Sequence, residues 1–130
     1  MAQAFAPPPA LVEPLPRVGQ EWLVDAFGCE PARLRDLGRL RDLVDEVVRE
    51  LGLRPVAPAL WHVFPGEGGV TGALLLAESH LTLHSFPEHG TAAFNLYCCR
   101  ARPAFPWEAR LSAALGARRV EVRAFARGGG

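Results

Sequence analysis

Two stretches of alternating apolar and polar residues, 80–85 and 91–99, flank a short turn at 87–90. A period of two places successive side chains on opposite faces of a β-strand. One face carries Leu81, Leu83, Ser85, Phe94, Leu96 and Cys98, and the other carries His80, Thr82, His84, Asn95, Tyr97 and Cys99. The pattern predicts a strand pair with a core side and a polar side. The polar side has to line a cavity, a second sheet or a subunit interface.

The rest of the chain predicts two helices and further strands around this pair. Leucine and valine recur every three or four positions from Leu34 to Leu51, a spacing typical of an amphipathic helix, and Gly52 ends it. A second helix is predicted with Pro106 at its first position and Gly116 at its end. Further strands are predicted at 21–27, 56–64, 70–77 and 118–125. The sequence therefore favours an α+β fold with helices on one face of an antiparallel sheet.

Length and composition restrict the class of protein. Five prolines in residues 1–18 predict an extended tail, which leaves 19–127 as a single domain. Fourteen basic side chains balance fourteen acidic ones, so the chain lacks the positive charge that nucleic-acid binding needs. No apolar run approaches the roughly 20 residues of a membrane helix. Three cysteines and no signal-peptide pattern predict a cytoplasmic protein with reduced thiols.

Reactive side chains are concentrated between residues 78 and 99. The Glu78-Ser79 peptide bond places a serine hydroxyl directly after a carbonyl, and imidazoles and a thiol follow within about twenty residues. The candidate metal ligands are His80, His84, His89 and Cys99. Imidazole and thiolate suit zinc, but the paired Cys-x-x-Cys of many zinc sites is missing, so we expect no metal. His80 and His89 are better interpreted as hydrogen-bonded structural groups.

A composite motif carries a family resemblance. It consists of Gly69-Val70-Thr71-Gly72, Glu78-Ser79-His80, His84-Ser85-Phe86-Pro87-Glu88-His89-Gly90 and Cys99. This combination resembles the signature of the small prokaryotic S-adenosylmethionine decarboxylase proenzymes, and the similarity extends from about residue 19 to residue 125. Relatives of this kind cut their own chain and use a pyruvoyl group made from a serine.

The resemblance implies the fold, the cofactor and the reaction. The chain would cut itself between Glu78 and Ser79, and Ser79 would become a covalent pyruvoyl group, the only cofactor required. Two protomers would pack sheet to sheet as an α/β/β/α sandwich, giving a homodimer of two-chain protomers. The enzyme would decarboxylate a small-molecule substrate, S-adenosylmethionine, to the aminopropyl donor of spermidine and other polyamines.

The resemblance also implies roles for individual residues. Cys99 would be the acid that protonates the product carbon, and His84 would be the base that removes the serine Cα proton during self-processing. The hydroxyl of Thr71 would assist processing. Glu88 would hold the ribose hydroxyls of the substrate, and Phe64 would stack on its adenine.

Several positions depart from the family pattern and leave alternatives open. Thr71 stands where a serine is usual, and Thr91, Asn95 and Arg100 replace an aromatic, an aspartate and a glycine around the pocket. These changes leave two other interpretations: a pyruvoyl-dependent ornithine or arginine decarboxylase, or a non-catalytic paralogue. Stacking on Phe64 would help only a substrate that contains adenine, so this residue distinguishes the two enzymes.

The alternation creates one conflict with the implied mechanism. Ser79 and His84 are five residues apart, which in a regular strand places them on opposite faces. Self-processing needs them close together. We therefore expect Ser79 to lie in an irregular turn or bulge, with the regular strand beginning at His80.

Overall fold

The computed structural model describes residues 17–128 and contains one six-stranded sheet. Its strands are β1 (Arg17–Phe27), β2 (Leu60–Val63), β3 (Val70–Leu76), β4 (Ser79–Phe86), β5 (Thr91–Cys98) and β6 (Arg119–Gly128). The helices are α1 (Pro31–Leu34), α2 (Leu37–Leu51) and α3 (Trp107–Leu115), and a 3-10 turn spans Pro87–His89. Neighbouring strands are antiparallel in the order β2-β3-β4-β5-β1-β6. The predicted α+β class is confirmed.

The helices and one face of the sheet share a single core. Fully buried leucines of α2 and α3, such as Leu40 and Leu111, belong to the same cluster as Leu81, Leu83 and Leu96 of the central strands. Burying a leucine side chain contributes about 1.5–3 kcal/mol, so this layer provides most of the stabilisation. Within residues 17–128, no helix is both long enough and apolar enough to cross a membrane.

The helices differ from the prediction at their beginnings. The long predicted helix is interrupted between α1 and α2, because the Asp36 side chain accepts a hydrogen bond of 3.2 Å from the Arg39 N–H and caps α2. Pro106 is the N-cap of α3 rather than its first residue. The ends are as predicted: Gly52 and Gly116 have φ angles of 63° and 70°, a left-handed conformation that glycine adopts without strain.

The strands differ mainly near the chain's prolines. The strand predicted at 56–64 is reduced to β2, and only an isolated bridge from Pro55 to Leu76 precedes it. Proline lacks the N–H that a sheet ladder needs, so Pro55 and Pro58 prevent regular pairing here. At the other end of the sheet, β1 begins at Arg17 and so includes the last two residues of the predicted tail, Arg17 and Val18. The remainder of the predicted tail, 1–16, lies outside the described residues.

Candidate active site

The sheet face opposite the helices carries the predicted polar surface. His80 and His84 are exposed and Asn95 and Tyr97 are half-buried, whereas their neighbours along the strands are buried. The predicted division of faces is confirmed. A shallow groove of about 490 Å³ crosses this open face between β4 and β1. A groove of about 550 Å³ between α3 and β6 contains none of the predicted site residues.

The bond predicted to be cut lies in the two-residue turn that joins β3 to β4. Leu76 pairs with Ser79, so Ala77 and Glu78 form the turn. The carbonyl oxygen of Glu78 accepts a hydrogen bond of 3.3 Å from the N–H of Cys99. Arg100 holds the Glu78 carboxylate through two contacts of 3.0 Å, and this hydrogen-bonded ion pair lowers the pKa of Glu78. We call this region, residues 78, 79, 99 and 100, the cleavage end of the sheet.

The expectation that Ser79 lies in an irregular turn or bulge is wrong. Ser79 is the first residue of β4 and pairs regularly with both Leu76 and Cys98. Its side chain points to the helix-covered face and is only 9% exposed. Burial raises the pKa of the Cys98 thiol, whereas Arg102 and the Ser79 hydroxyl act in the opposite direction. The hydroxyl of the uncut chain therefore lies on the core side.

Cys98 and Cys99 separate as the alternation predicts. Cys98 is 0% exposed and lies in the core, whereas Cys99 is exposed. The Cys99 thiol is 4.0 Å from the hydroxyl of Tyr97, which donates a hydrogen bond of 2.6 Å to the carbonyl of Val18. Desolvation raises the pKa of Tyr97, and the hydrogen bond with Cys99 adds to the shift. Tyr97 also stacks on His80, with ring centroids 5.7 Å apart.

The remaining predicted residues lie toward the other end of the strands. We call this region, residues 64, 71, 84 and 88, the histidine end of the sheet. The Nδ1 atom of His84 is 3.0 Å from the hydroxyl of Thr71, directly across the ladder from it. The Phe64 ring is 47% exposed and contacts the edge of His62, with centroids 4.6 Å apart. Glu88 is exposed in the 3-10 turn that follows β4.

One protomer does not bring the two ends together. Ser79 and His84 are five positions apart on β4, a distance of about 17 Å along an extended strand. Their side chains also point to opposite faces. The structure thus brings the Cys99 backbone beside the Glu78-Ser79 bond and Thr71 beside His84, but leaves the nucleophile and its predicted base apart.

Two residues in or beside the cleavage end, Tyr97 and Arg100, make interactions that the sequence did not predict. Tyr97 was placed on the polar face, but nothing in the sequence indicated that its hydroxyl meets Cys99. Arg100 was noted only as a departure from a family pattern. Its charge, opposite to that of Glu78, was the one sequence feature that could have suggested an ion pair between them. Within the described part of the chain, no group of three metal-ligating side chains comes together.

Comparison with known proteins supports the same family. The S-adenosylmethionine decarboxylase family model matches residues 20–128. The chain is 33% identical over 85 residues to S-adenosylmethionine decarboxylase proenzyme 2 of Halalkalibacterium halodurans, covering 65% of this chain and 65% of that protein. It is 39% identical over 100 residues to the proenzyme of Symbiobacterium thermophilum, covering 75% of this chain and 74% of that protein. The first of these alignments spans less than two thirds of the relative's length.

A solved structure has the same fold. The crystal structure of the adenosylmethionine decarboxylase from Aquifex aeolicus is similar to this chain with a TM-score of 0.70 and 25% sequence identity. The similarity covers 86% of this chain and 92% of that one. The six-stranded sheet and its helices therefore belong to an architecture already known from experiment.

Proposed function

Because the chain belongs to the S-adenosylmethionine decarboxylase family, we propose that it is a self-processing, pyruvoyl-dependent decarboxylase of S-adenosylmethionine. The observation that carries the proposal is the placement of the Glu78-Ser79 bond in a hairpin turn beside Cys99. The product would be the aminopropyl donor for spermidine and other polyamines. A cytoplasmic location fits the three unpaired thiols of the described chain.

The proposed self-processing needs only the atoms of the Glu78-Ser79 unit, a base and water. The Ser79 hydroxyl attacks the carbonyl carbon of Glu78, the Glu78–Ser79 C–N bond breaks, and an ester links the two residues. Removal of the Ser79 Cα proton then breaks the ester by β-elimination. The leaving group is the main-chain carboxylate of Glu78, which becomes the new C-terminus of the first fragment. Water replaces the nitrogen of the resulting dehydroalanine, releasing ammonia and leaving a pyruvoyl group at the start of the 79–130 fragment. No external cofactor enters these steps.

The surroundings of Ser79 fit such a group. Its ladder pairing with Cys98 fixes the start of β4, and the Cys99 backbone contacts the adjacent carbonyl. A pyruvoyl carbonyl supplies the electron sink for loss of carbon dioxide. The exposed Cys99 thiol then serves as the proton donor to the substrate carbon. A hydrogen bond between the Thr71 hydroxyl and Nδ1 of His84 orients the imidazole for its role as a base in processing.

A homodimer would bring a His84 side chain close to Ser79, which a single protomer does not do. Exposed apolar side chains on the open face, Leu75, Phe86 and Phe125, favour burial against a second copy. In the proposed α/β/β/α sandwich, a two-fold axis lies between the sheets and perpendicular to β4. The cleavage end of one protomer then lies over the histidine end of the other. His84 of the partner subunit would thereby reach the bond that Ser79 of the first protomer attacks.

We expect mixed dimers to test this arrangement. A His84→Ala chain should remain uncut alone but be cut when co-expressed with a Ser79→Ala chain, because the latter retains His84. Mass spectrometry of chains with different tags would identify which one is cut. Co-expression with the double variant Ser79→Ala/His84→Ala is the matched control and should give no rescue. An uncut His84→Ala chain in verified mixed dimers would place the base within the same protomer.

Substrate choice is tested by replacing Phe64. Phe64→Ala should reduce kcat/KM for S-adenosylmethionine by about 10- to 100-fold, because the adenine loses its stacking partner. Phe64→Trp should retain activity, and Leu60→Ala, at an exposed position of β2 just before Phe64, serves as the control. Carbon dioxide release would be measured with S-adenosylmethionine, ornithine and arginine. Carbon dioxide release from ornithine or arginine but not from S-adenosylmethionine would favour a basic amino acid decarboxylase. No release from any of the three would favour a non-catalytic paralogue.

A further inference from the structure

We propose that Arg100 is a positioning residue for self-cleavage, which it promotes by holding the side chain of Glu78. The inference rests on the self-processing proposed above and assigns a role that the family resemblance does not supply. Arg100 stands where the family resemblance gives a glycine, so the resemblance itself implies no role for this side chain.

The contact between Arg100 and Glu78 is geometrically well defined. Nε of Arg100 donates to Oε2 of Glu78 and Nη2 donates to Oε1, both at 3.0 Å. Two parallel hydrogen bonds fix orientation as well as distance, which a single contact does not do. The side chains are 62% and 39% exposed, so the pair contributes little to overall stability. Its effect is therefore expected on local geometry.

The turn that contains the bond needs such support. Two-residue hairpin turns usually place residues with positive φ, most often glycine or asparagine, at their centre. Within residues 17–128 no residue other than glycine has a positive φ, so Ala77 and Glu78 form a turn of a less favourable type. The turn is held instead by its neighbours. The N–H of Ala77 donates to the carbonyl of Arg54 at 2.9 Å, and Arg100 holds the Glu78 side chain.

The position of the Glu78 carbonyl affects the chemistry. When the Ser79 hydroxyl attacks, the Glu78 carbonyl oxygen acquires negative charge. The N–H of Cys99 is 3.3 Å from this oxygen, at the long end of hydrogen-bond distances. Arg100 directly follows Cys99, so its hydrogen bonds to the Glu78 side chain keep the Cys99 N–H close to the Glu78 carbonyl oxygen. Without these hydrogen bonds the turn can move, and the negative charge on the intermediate is less well stabilised.

The experiment measures the first-order rate of cleavage after a short pulse of cell-free synthesis of the full chain. Arg100→Gln should slow cleavage by about fivefold, the scale of an exposed ion pair acting on the transition state. Arg100→Lys keeps the positive charge but cannot form the two parallel hydrogen bonds. Its cleavage rate should lie between those of the wild type and Arg100→Gln. The charge-reversed double variant Glu78→Arg/Arg100→Glu should cleave faster than either single reversal. Arg119→Gln breaks an exposed pair with Glu121 elsewhere in the sheet and should cleave at the wild-type rate.

The outcomes separate this inference from the proposed function. A wild-type chain that never cleaves would overturn both. Normal cleavage by the wild type together with an unchanged rate in Arg100→Gln would overturn the role of Arg100 alone. The same conclusion follows if the charge-reversed pair is no faster than the single reversals. The comparison among reversals also covers the case in which Arg100→Gln folds poorly, because the exchanged pair restores the contact between the two side chains.

Discussion

Replacement of Ser79 by alanine should leave the protein as one uncut chain. Alanine has no hydroxyl to attack the Glu78 carbonyl, so neither the ester nor the pyruvoyl group can form. The wild type should consist of fragments 1–78 and 79–130, the latter with a pyruvoyl start. Intact mass measurement distinguishes these species directly. Decarboxylase activity of the variant should fall to the background of the assay.

The masses have to be measured under denaturing conditions. Cleavage would sever only the turn between β3 and β4, whose strands stay paired in a ladder from Thr71–His84 to Leu76–Ser79. The first fragment also contributes β1, which lies between β5 and β6 of the second. The fragments are thus interleaved in one sheet, and native chromatography alone would not separate them.

Ser85→Ala is the matched control for this variant. Ser85 lies on the same strand and face as Ser79 and is also buried. Its hydroxyl donates to the carbonyl of Leu34 at 2.7 Å and accepts from the N–H of Val70 at 2.9 Å. Its loss should lower stability without stopping cleavage at a permissive temperature. A wild-type chain that stays intact after long incubation at neutral pH would refute self-processing.

The second large effect is expected at Cys99. Cys99→Ala should retain self-cleavage but lose about 10²- to 10⁴-fold in decarboxylation, the range typical of a missing general acid. Cleavage persists because the contact with the Glu78 carbonyl comes from the backbone N–H, which alanine keeps. The two activities would be measured on one preparation, by intact mass and by carbon dioxide release.

Cys98→Ala provides the neighbouring control. Cys98 is fully buried on the helix-covered face, so its replacement should cost about 1 kcal/mol of the free energy of unfolding through lost packing. Thermal or urea unfolding would measure this cost. Decarboxylation should remain close to that of the wild type. Equal catalytic losses in both variants would contradict the assignment of Cys99 to the site and Cys98 to the core.

Much of the fold could be predicted because it depends on local patterns. The period of two assigned residues 80–85 of β4 and 94–98 of β5 to their faces, and it separated Cys98 from Cys99, which follows β5. The glycines that end α2 and α3 were also correctly predicted, because a left-handed residue stops a helix wherever it occurs. The beginnings of the helices were less predictable, since Asp36 competes with the helix through its own side chain.

The residues of the candidate site could be proposed from the sequence, but their arrangement could not. The motifs single out Ser79, His84 and Cys99 without any coordinates, and the resemblance adds Thr71 as an assistant in processing. That Ser79 belongs to a regular ladder depends on the register of three strands and on a turn of only two residues. Such non-local pairings follow from the global packing of the sheet, and the alternation within one strand does not contain them.

The sequence by itself therefore determined which side chains face the core, which face the open side, and which peptide bond is the candidate for cleavage. Only the tertiary structure decided that Ser79 belongs to the regular ladder of β4 and faces away from His84, and that Arg100 contacts Glu78. The physical reason is distance along the chain. Strand periodicity acts between neighbours in sequence, whereas a contact between residues 78 and 100 exists only once two strands have paired and brought their ends together.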